Sequence, residues 1–301
     1  LIISTANAQQ KTLTMEDAMI NARTSLAPEN LRQLQFIKGT NEYVYLKKIN
    51  GTDTWMKGDF KSTEENVFLT LGDLNNKLRA ASLDTVATLP PMQFNSDKWV
   101  VSIKGQKLAI NTSGNDVKTL VSKSISGKGN VDESSDGYVA YLDSFNLYVS
   151  KNGDAKKVTE DGSIDIVYAS TVHQSEFGIT KGTFWSNNGK SLAFYRMDQS
   201  MVPGYPIIDW TKRPAKAENI RYPMAGDKSH HVTVGVYNAV TGSTTWLKVH
   251  GPAEQYLTNI AWSPDDRYIY IAVVNRGQDH MWLNQYDAAS GNFELCVEDL
   301  G

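Results

Sequence analysis

The stretch that decides the fold runs from Trp185 to Phe194 and reads Trp-Ser-Asn-Asn-Gly-Lys-Ser-Leu-Ala-Phe. The same unit returns between Trp262 and Ile271, where an aromatic residue and a serine again precede a tight turn and a hydrophobic strand. Weaker copies of the turn and its following strand occur over 94–101 and 134–141. Repetition of one hairpin unit indicates an architecture in which each unit packs against its neighbours.

A second repeated element supplies the period. Residues 237–242 and 286–291 each place a glycine after a polar turn, as a hairpin between outer strands requires. The two glycines, Gly242 and Gly291, are about 50 residues apart, and a period of that length with about four strands is typical of propeller blades. We therefore predict an all-β fold, a β-propeller of four-stranded blades. The alternative is one or two β-sandwiches in which the similar turns are coincidental.

The rest of the chain agrees with this fold. From Tyr43 onward, apolar and polar residues alternate in short runs separated by Gly, Asn, Asp and Ser, as in half-buried antiparallel strands. The clearest runs are 43–46, 99–103, 137–141, 232–237 and 268–273. One short N-terminal helix is expected, capped by Thr14 and ending near Arg23, and helical periodicity is nearly absent beyond the first thirty residues.

The chain length gives about five or six blades of this size. A ring without its closing blade would leave open sheet edges, so we expect the natural protein to continue past Gly301. Residues 9–301 are then an incomplete N-terminal propeller domain.

Composition excludes several classes of function. The 301 residues carry a net charge of −3, which does not favour binding to a nucleic-acid backbone, and no apolar run is long enough for a membrane span. The single cysteine, Cys296, excludes an internal disulfide and a cysteine-rich zinc cluster, and its strand-like neighbours favour a small buried side chain.

The first residues predict export. Residues 1–5 are short and mostly apolar, and Ala6 and Ala8 stand three and one residues before the polar Gln9, as a signal peptidase requires. We interpret 1–8 as the remnant of a signal peptide, although an apolar strand is the alternative, and expect the mature protein to begin near Gln9. An exported protein with one cysteine suits a bacterial periplasm or cell surface.

Catalytic and metal-binding motifs are missing from the sequence. It contains no Gly-x-Ser-x-Gly nucleophile elbow, no glycine-rich phosphate loop and no His-Glu-x-x-His pattern. We therefore predict no catalytic residue, no metal and no other cofactor in this chain. The adjacent pair Glu64 and Glu65 is interpreted as part of a solvated turn. The histidines are interpreted as structural or surface residues; they are His173, His230, His231, His250 and His280.

One region carries a family resemblance. Residues 173–179 read His-Gln-Ser-Glu-Phe-Gly-Ile and lead into the Trp185 unit; Phe-Tyr-Arg-Met-Asp follows at 194–198 and Tyr-Pro-Met-Ala-Gly at 222–226. With Asn275, Arg276 and Gln278, these motifs resemble the propeller of the dipeptidyl peptidase IV branch of the prolyl oligopeptidase family, especially its bacterial members. The resemblance is strong over about 170 to 295 and weaker before that.

The resemblance implies a secreted serine exopeptidase that removes N-terminal dipeptides or tripeptides after proline or alanine. In that family an eight-bladed propeller encloses the active site of a C-terminal α/β-hydrolase domain, which contributes the Ser-Asp-His triad. The present chain lacks that domain and should be inactive by itself. The expected partners are a peptide with a free N-terminus and the hydrolase domain, and the resemblance allows a homodimer through the full enzyme.

The resemblance gives one residue a role. Acidic residues on a short propeller insertion bind the ammonium group of the substrate in this family, and Glu176 occupies that insertion before Trp185. The best-known members have two adjacent glutamates there, whereas Ser175 precedes Glu176 here. The family's propeller arginine that contacts the substrate carbonyl has no convincing match.

Two other classes of function fit the fold. A standalone periplasmic propeller that binds a partner protein would share the turns but not the motifs at 173–179 and 222–226. A catalytic propeller such as a glycosidase would need paired carboxylates that converge on the central channel.

Overall fold

The computed structural model describes residues 12–27 and 30–299, with only the main chain described for Cys296 and the three residues after it. The predicted signal-peptide remnant at 1–8, the expected mature start near Gln9 and the Cys296 side chain therefore lie outside the described part. The chain divides into two compact units, Leu1–Val101 with Ile110–Val117 and Ser102–Ala109 with Lys118–Gly301. The candidate site lies in the second unit.

The described residues form six antiparallel sheets. Two four-stranded sheets follow chain order; they hold β1 (Arg32–Phe36), β2 (Glu42–Ile49), β3 (Thr52–Asp59) and β4 (Glu65–Leu69), then β5 (Met92–Phe94), β6 (Lys98–Ile103), β7 (Gln106–Asn111) and β8 (Val117–Val121). The third sheet holds β9 (Gly129–Glu133), β10 (Val139–Asp143), β11 (Asn146–Lys151) and β12 (Asp154–Lys157).

The fourth sheet has its first strand in two pieces. β13 (Ile166–Tyr168) and β14 (Thr183–Trp185) both pair with β15 (Ser191–Asp198), and β18 (His231–Asn238) and β19 (Thr244–Trp246) complete the sheet. Between β15 and β18 the chain forms a separate hairpin of β16 (Gly204–Asp209) and β17 (Lys216–Arg221). The last sheet holds β20 (Tyr256–Trp262), β21 (Tyr268–Val274), β22 (Met281–Asp287) and β23 (Phe293–Asp299).

The last three large sheets pack through the alternating faces of β15. Leu192 and Phe194 lie in a buried cluster with residues of β10 and β11, whereas Ala193, Tyr195 and Met197 lie in a second cluster with residues of β20 and β21. Because neighbouring residues of a strand point to opposite faces, one strand fills both interfaces. Such face-to-face packing of four-stranded sheets is that of propeller blades, and the prediction of an all-β propeller is confirmed. The number of blades in the whole protein stays a prediction.

The repeated serine closes the turn after the first strand of each of these blades. Ser186 accepts a hydrogen bond from the Ser191 main-chain N–H at 3.0 Å, and Ser263 accepts one from Tyr268 at 2.9 Å. Ser134 accepts the equivalent bond from Tyr138 at 2.9 Å. The motif therefore recurs because each turn needs a short side chain that satisfies the first donor of the next strand.

The repeated tryptophan links each blade to the one before it. The Trp185 indole N–H donates to the Asp132 carbonyl of β9 at 3.3 Å, and that of Trp262 donates to the Phe184 carbonyl of β14 at 2.9 Å. The first strand of one blade is thus tied to the first strand of its neighbour. The polar turns before Gly242 and Gly291 join the outer strands of their sheets, as predicted.

The helices were predicted only in part. The N-terminal helix α1 (Met15–Met19) begins at Thr14, which forms a capping box with Asp17, and a 3-10 turn at Asn21–Arg23 follows. Two further helices, α2 (Leu71–Ala80) and α3 (Lys123–Ser126), lie beyond the first thirty residues, where helical periodicity is nearly absent from the sequence. None of the helices in the described residues is long and apolar enough to cross a membrane.

Glu64 and Glu65 are both exposed, as interpreted, but the assignment of Glu65 to a turn was wrong. Glu65 is the first residue of β4, and its carboxylate accepts a hydrogen bond from the Tyr45 hydroxyl at 2.5 Å. Burial and this bond raise the pKa of Tyr45 to about 12. The bond fastens β4 to the strand two places away in the sheet.

Candidate functional site

The loop that carries Glu176 is an insertion into the edge strand of the fourth sheet. The Ala169 N–H donates to the Tyr195 carbonyl at 2.8 Å, and the Tyr195 N–H donates to the Gly182 carbonyl at 3.1 Å. The chain therefore leaves and rejoins the sheet at the same residue of β15. Only glycine fits at the return point, because a Cβ on Gly182 would overlap the Ser170 carbonyl oxygen.

The neighbouring blades have a bulge at the comparable position of their first strand. The pairing of β9 is interrupted near Asn130 and that of β20 near Asn259, and both asparagines have left-handed backbone angles, with φ of 49° and 50°. Ala169, where the insertion begins, has φ 51°. The Glu176 loop thus replaces, at the same place in its blade, the bulge found in β9 and β20. Bulges often lie beside functional sites.

The backbone of this loop is strained. His173, Gln174, Ser175 and Phe177 all have positive φ, between 53° and 62°, which is uncommon for residues other than glycine. Glu176 alone among them is extended, with φ −67° and ψ 172°. Its N–H donates to the His173 carbonyl at 3.0 Å, and its carbonyl accepts from the Ile179 N–H at 3.1 Å. Tight turns on both sides therefore present one acidic side chain.

A buried histidine anchors the start of the loop. His173 is 2% exposed, and its Nε2 accepts a hydrogen bond from the Leu257 N–H of β20 at 3.0 Å. Its Nδ1 lies 2.9 Å from Nε2 of His230, which is 3% exposed. The loop is thereby attached to the next blade and to the residue before β18.

Both histidines are kept neutral by their surroundings. Burial, with smaller effects from His230 and Arg276, lowers the pKa of His173 to about 3. Burial, Arg276 and His231 likewise lower the pKa of His230 to about 4, although Glu254 opposes this shift. At neutral pH the pair therefore carries hydrogen bonds and no charge.

Aromatic contacts support the other side of the loop. The Tyr256 ring meets the His173 ring edge-on, with centroids 5.0 Å apart. The centroid of the half-buried Phe177 ring lies 5.2 Å from that of Tyr256. Arg276 donates a hydrogen bond to the Tyr256 hydroxyl. The start of β20 is consequently the platform on which the loop rests.

The Glu176 side chain itself is exposed. Its Oε2 accepts a hydrogen bond from the Gln278 side-chain amide at 3.4 Å, a long contact from the turn after β21. A carboxylate held by one neutral amide retains most of its accepting capacity. The geometry can therefore bind a cationic group such as an ammonium ion.

A cavity of about 320 Å³ adjoins the neck of the loop. On its wall the Asp132 carboxylate accepts a hydrogen bond from the Thr183 hydroxyl at 2.7 Å and forms an ion pair with Lys181 at 3.4 Å. These bonds connect β9 to the return of the insertion. Asp132 thus holds the neck of the loop in place.

His231 adjoins His230 of the loop anchor, whereas His250 and His280 contact other aromatic residues. His250 is exposed and stacks edge-on against Phe293, and His280 is half-buried against Trp282. Among the side chains that the structure describes, those of residues 12–27 and 30–295, no three from His, Cys, Asp or Glu are grouped as metal ligands would be.

Sequence reasoning placed Glu176 on an insertion but missed its supports. His173 and His230 are 57 residues apart, and His173 and Leu257 are 84 residues apart. Such contacts leave no local pattern. The only available signal was the presence of the two histidines themselves, which favours no particular partner.

The fold and this loop define a β-propeller in which one edge strand carries an anchored loop with an exposed carboxylate. Residues 94–300 match the family model described as the dipeptidyl peptidase IV (DPP IV) N-terminal region, and the chain belongs to that family. The predicted resemblance is confirmed, and the match begins well before the 170 to 295 region in which the sequence motifs were strongest.

Solved structures agree. A candidate dipeptidyl aminopeptidase IV from Bacteroides ovatus superposes with a TM-score of 0.77 at 38% identity, over 89% of this chain and 37% of that one. Porphyromonas gingivalis dipeptidyl peptidase 4 gives a TM-score of 0.62 at 22% identity over 89% of this chain and 40% of that one, which supports the fold.

Curated relatives show the same similarity. A candidate dipeptidyl-aminopeptidase B from Phaeosphaeria nodorum is 29% identical over 174 residues, which is 51% of this chain and 19% of the relative. The chain thus spans about a fifth of the length of such relatives.

Proposed function

We propose that this chain is the substrate-recognising propeller of a secreted serine exopeptidase that releases N-terminal dipeptides or tripeptides after proline or alanine. In this proposal the nucleophile belongs to a C-terminal α/β-hydrolase domain, and the propeller supplies enclosure and recognition. Membership of the DPP IV N-terminal family and the peptidase names of the relatives support it.

Glu176 is the residue proposed to bind the free α-ammonium group of the peptide. The observation that carries this role is an exposed carboxylate on a loop that is strained, closed at its neck and anchored to the next blade. A backbone held in sparsely populated angles indicates that position matters at this point. Fixing the N-terminus would decide which peptide bond reaches the distant serine, because positioning sets the reacting bond.

Enclosure by a second domain would strengthen the contact between the Glu176 carboxylate and the ammonium group of the peptide. An ammonium–carboxylate contact on an open surface contributes about 0–1 kcal/mol, whereas the loss of one partner of a desolvated pair costs about 2–5 kcal/mol. The exposed Glu176 side chain therefore becomes selective only where a second domain excludes water from it. In this proposal the site is therefore functional only in the full enzyme.

Peptidase assays test the proposal. The full-length protein should cleave a glycyl-prolyl or an alanyl-alanyl-prolyl chromogenic substrate and lose activity with a serine-hydrolase inactivator. Residues 1–301 alone should be inert in the same assay. Inactivator-resistant cleavage by residues 1–301, after removal of host peptidases, would overturn the assignment.

Export and assembly are part of the same proposal. The protein should reach the periplasm or cell surface of its bacterial host, with a mature start near Gln9 that mass spectrometry of the processed precursor can identify. An N-terminus that retains residues before Leu1 contradicts export by this route. A homodimer through the full enzyme remains a further expectation.

A further inference from the structure

The buried histidine pair beneath the Glu176 loop has no assigned role. Its hydrogen-bond directions follow from its partners. The Leu257 main-chain N–H can only donate, so Nε2 of His173 is the acceptor. In the neutral imidazole the proton is then on Nδ1, which donates to Nε2 of His230. The pair therefore forms one directed chain of hydrogen bonds from β20 to His230.

Leu257 is on an edge strand, which explains why its donor is available. β20 pairs on one side with β21, where Leu257 lies opposite Val273. Edge strands present main-chain donors that have no strand partner. The His173 imidazole occupies that position and converts the edge of one blade into an anchor for the loop of another.

His173 is connected to Glu176 through only two residues of main chain, Gln174 and Ser175. Its carbonyl accepts the Glu176 N–H at 3.0 Å, and the residues between them all have positive φ. Rotation or displacement of the His173 backbone would therefore move the Glu176 main chain directly. The aromatic contacts of Tyr256 limit such movement from the other side.

We propose that His173, held by Leu257 and His230, is a positioning residue that fixes the Glu176 carboxylate where the peptide's ammonium group binds. The proposal rests on the proposed function of Glu176. His173 does not touch the substrate in this account. It acts only through the geometry of the loop, and His230 acts by orienting the His173 ring.

Four variants of the full-length protein test the proposal. His173→Phe preserves the ring against Tyr256 but removes both hydrogen bonds, and His230→Phe removes only the acceptor for His173. His230→Gln restores an acceptor close to the place of Nε2. His250→Phe, at an exposed histidine of the same unit, is the matched control.

The readout is kcat/KM for a glycyl-prolyl chromogenic substrate, with thermal unfolding to check that each variant folds. His173→Phe should lower kcat/KM about tenfold or more and His230→Phe about threefold to tenfold, while His230→Gln and the control stay within about twofold. Amide exchange over residues 173–179 should accelerate in both Phe variants of the pair. Folded variants with unchanged kcat/KM or unchanged exchange, or variants that lose the fold altogether, contradict a positioning role.

A double variant separates positioning from general destabilisation. If His173 acts through Glu176, then adding His173→Phe to the Glu176→Gln variant should lower kcat/KM by less than about a further twofold. The reason is that the effects of interacting residues are non-additive. If the loss of kcat/KM in the double variant equals the product of the losses in the two single variants, the proposal is refuted. If Glu176→Gln alone has no effect, the proposed function of Glu176 fails; if it has an effect and His173→Phe has none, only the positioning role fails.

Discussion

Asp266 is expected to be the main polar link between the turns of the last two blades. Its carboxylate accepts hydrogen bonds from the Asn187 main-chain N–H at 2.6 Å, the Asn187 side-chain amide at 2.8 Å and the Asn188 main-chain N–H at 2.8 Å. All three donors belong to the Trp-Ser turn of the preceding blade. Replacing Asp266 tests whether the repeated turns stabilise the stack of blades.

The magnitude follows from the bonds and the backbone. A hydrogen bond to a charged group contributes about 1.5–3 kcal/mol, but these bonds are at the surface, so we expect about 1–3 kcal/mol for all three together. Asp266 has φ 60°, and alanine would add about 1–2 kcal/mol of strain there, whereas asparagine tolerates this conformation. Asp266→Asn should therefore lower the free energy of unfolding by about 1–2 kcal/mol and Asp266→Ala by about 2–5 kcal/mol.

Urea unfolding followed by fluorescence measures both values, with Asp154→Asn on the exposed strand β12 as the matched control. The control should change the free energy of unfolding by less than about 0.5 kcal/mol. Equal stability of the wild-type protein and Asp266→Ala would refute the reasoning. Equal effects of Asp266→Asn and Asp266→Ala would refute the part assigned to backbone strain.

Two further predictions concern the Glu176 loop. Gly182→Ala should lower the free energy of unfolding by about 2–4 kcal/mol in urea, because its methyl group meets the Ser170 main chain and the neck cannot close; an unchanged midpoint would contradict this. Below about pH 6.5 stability should fall by up to about 1.4 kcal/mol per pH unit for each of His173 and His230, because their lowered pKa values keep them neutral when folded while the unfolded chain takes up protons. This loss should end near pH 3 to 4, and a double His→Phe variant with the same acid slope as the wild-type protein would show that the pair does not contribute.

Local repetition made the blade turns predictable. The Trp-Ser units at Trp185 and Trp262 contain both the link to the neighbouring blade and the bond that closes the turn, all within a few residues. Strand alternation such as that of β21 then located the buried faces. These features depend on neighbours in sequence, which is why pattern analysis detects them.

The helix α2 was missed although its signal was present. Thr70 and Asp73 form a capping box, and Leu74 and Leu78 are buried one turn apart. The preference for alternating strands outweighed this short pattern. The hairpin of β16 and β17 was missed for another reason, since its strands pair only with each other and expose apolar residues such as Ile207 and Ile208.

The candidate site also has a part that the sequence predicts and a part that it does not. The insertion that carries Glu176 was expected from a motif of seven residues, but its anchor joins His173 to positions 57 and 84 residues away. Positive φ at His173, Gln174 and Ser175 was also unpredictable, because these residue types do not demand it. The tertiary hydrogen bonds at this point belong to His173, and they join it to residues far away in the sequence.

The comparison of two substrates tests the central claim most directly. Glu176→Gln keeps the shape of the side chain and removes its charge, so it should leave thermal unfolding nearly unchanged. In the full-length protein it should lower kcat/KM for a free-amine proline substrate about thirtyfold or more, and change kcat/KM for the N-acetylated form less than about twofold. Equal losses for both substrates, or no loss for either, would contradict the account and leave Glu176 an ordinary surface acid.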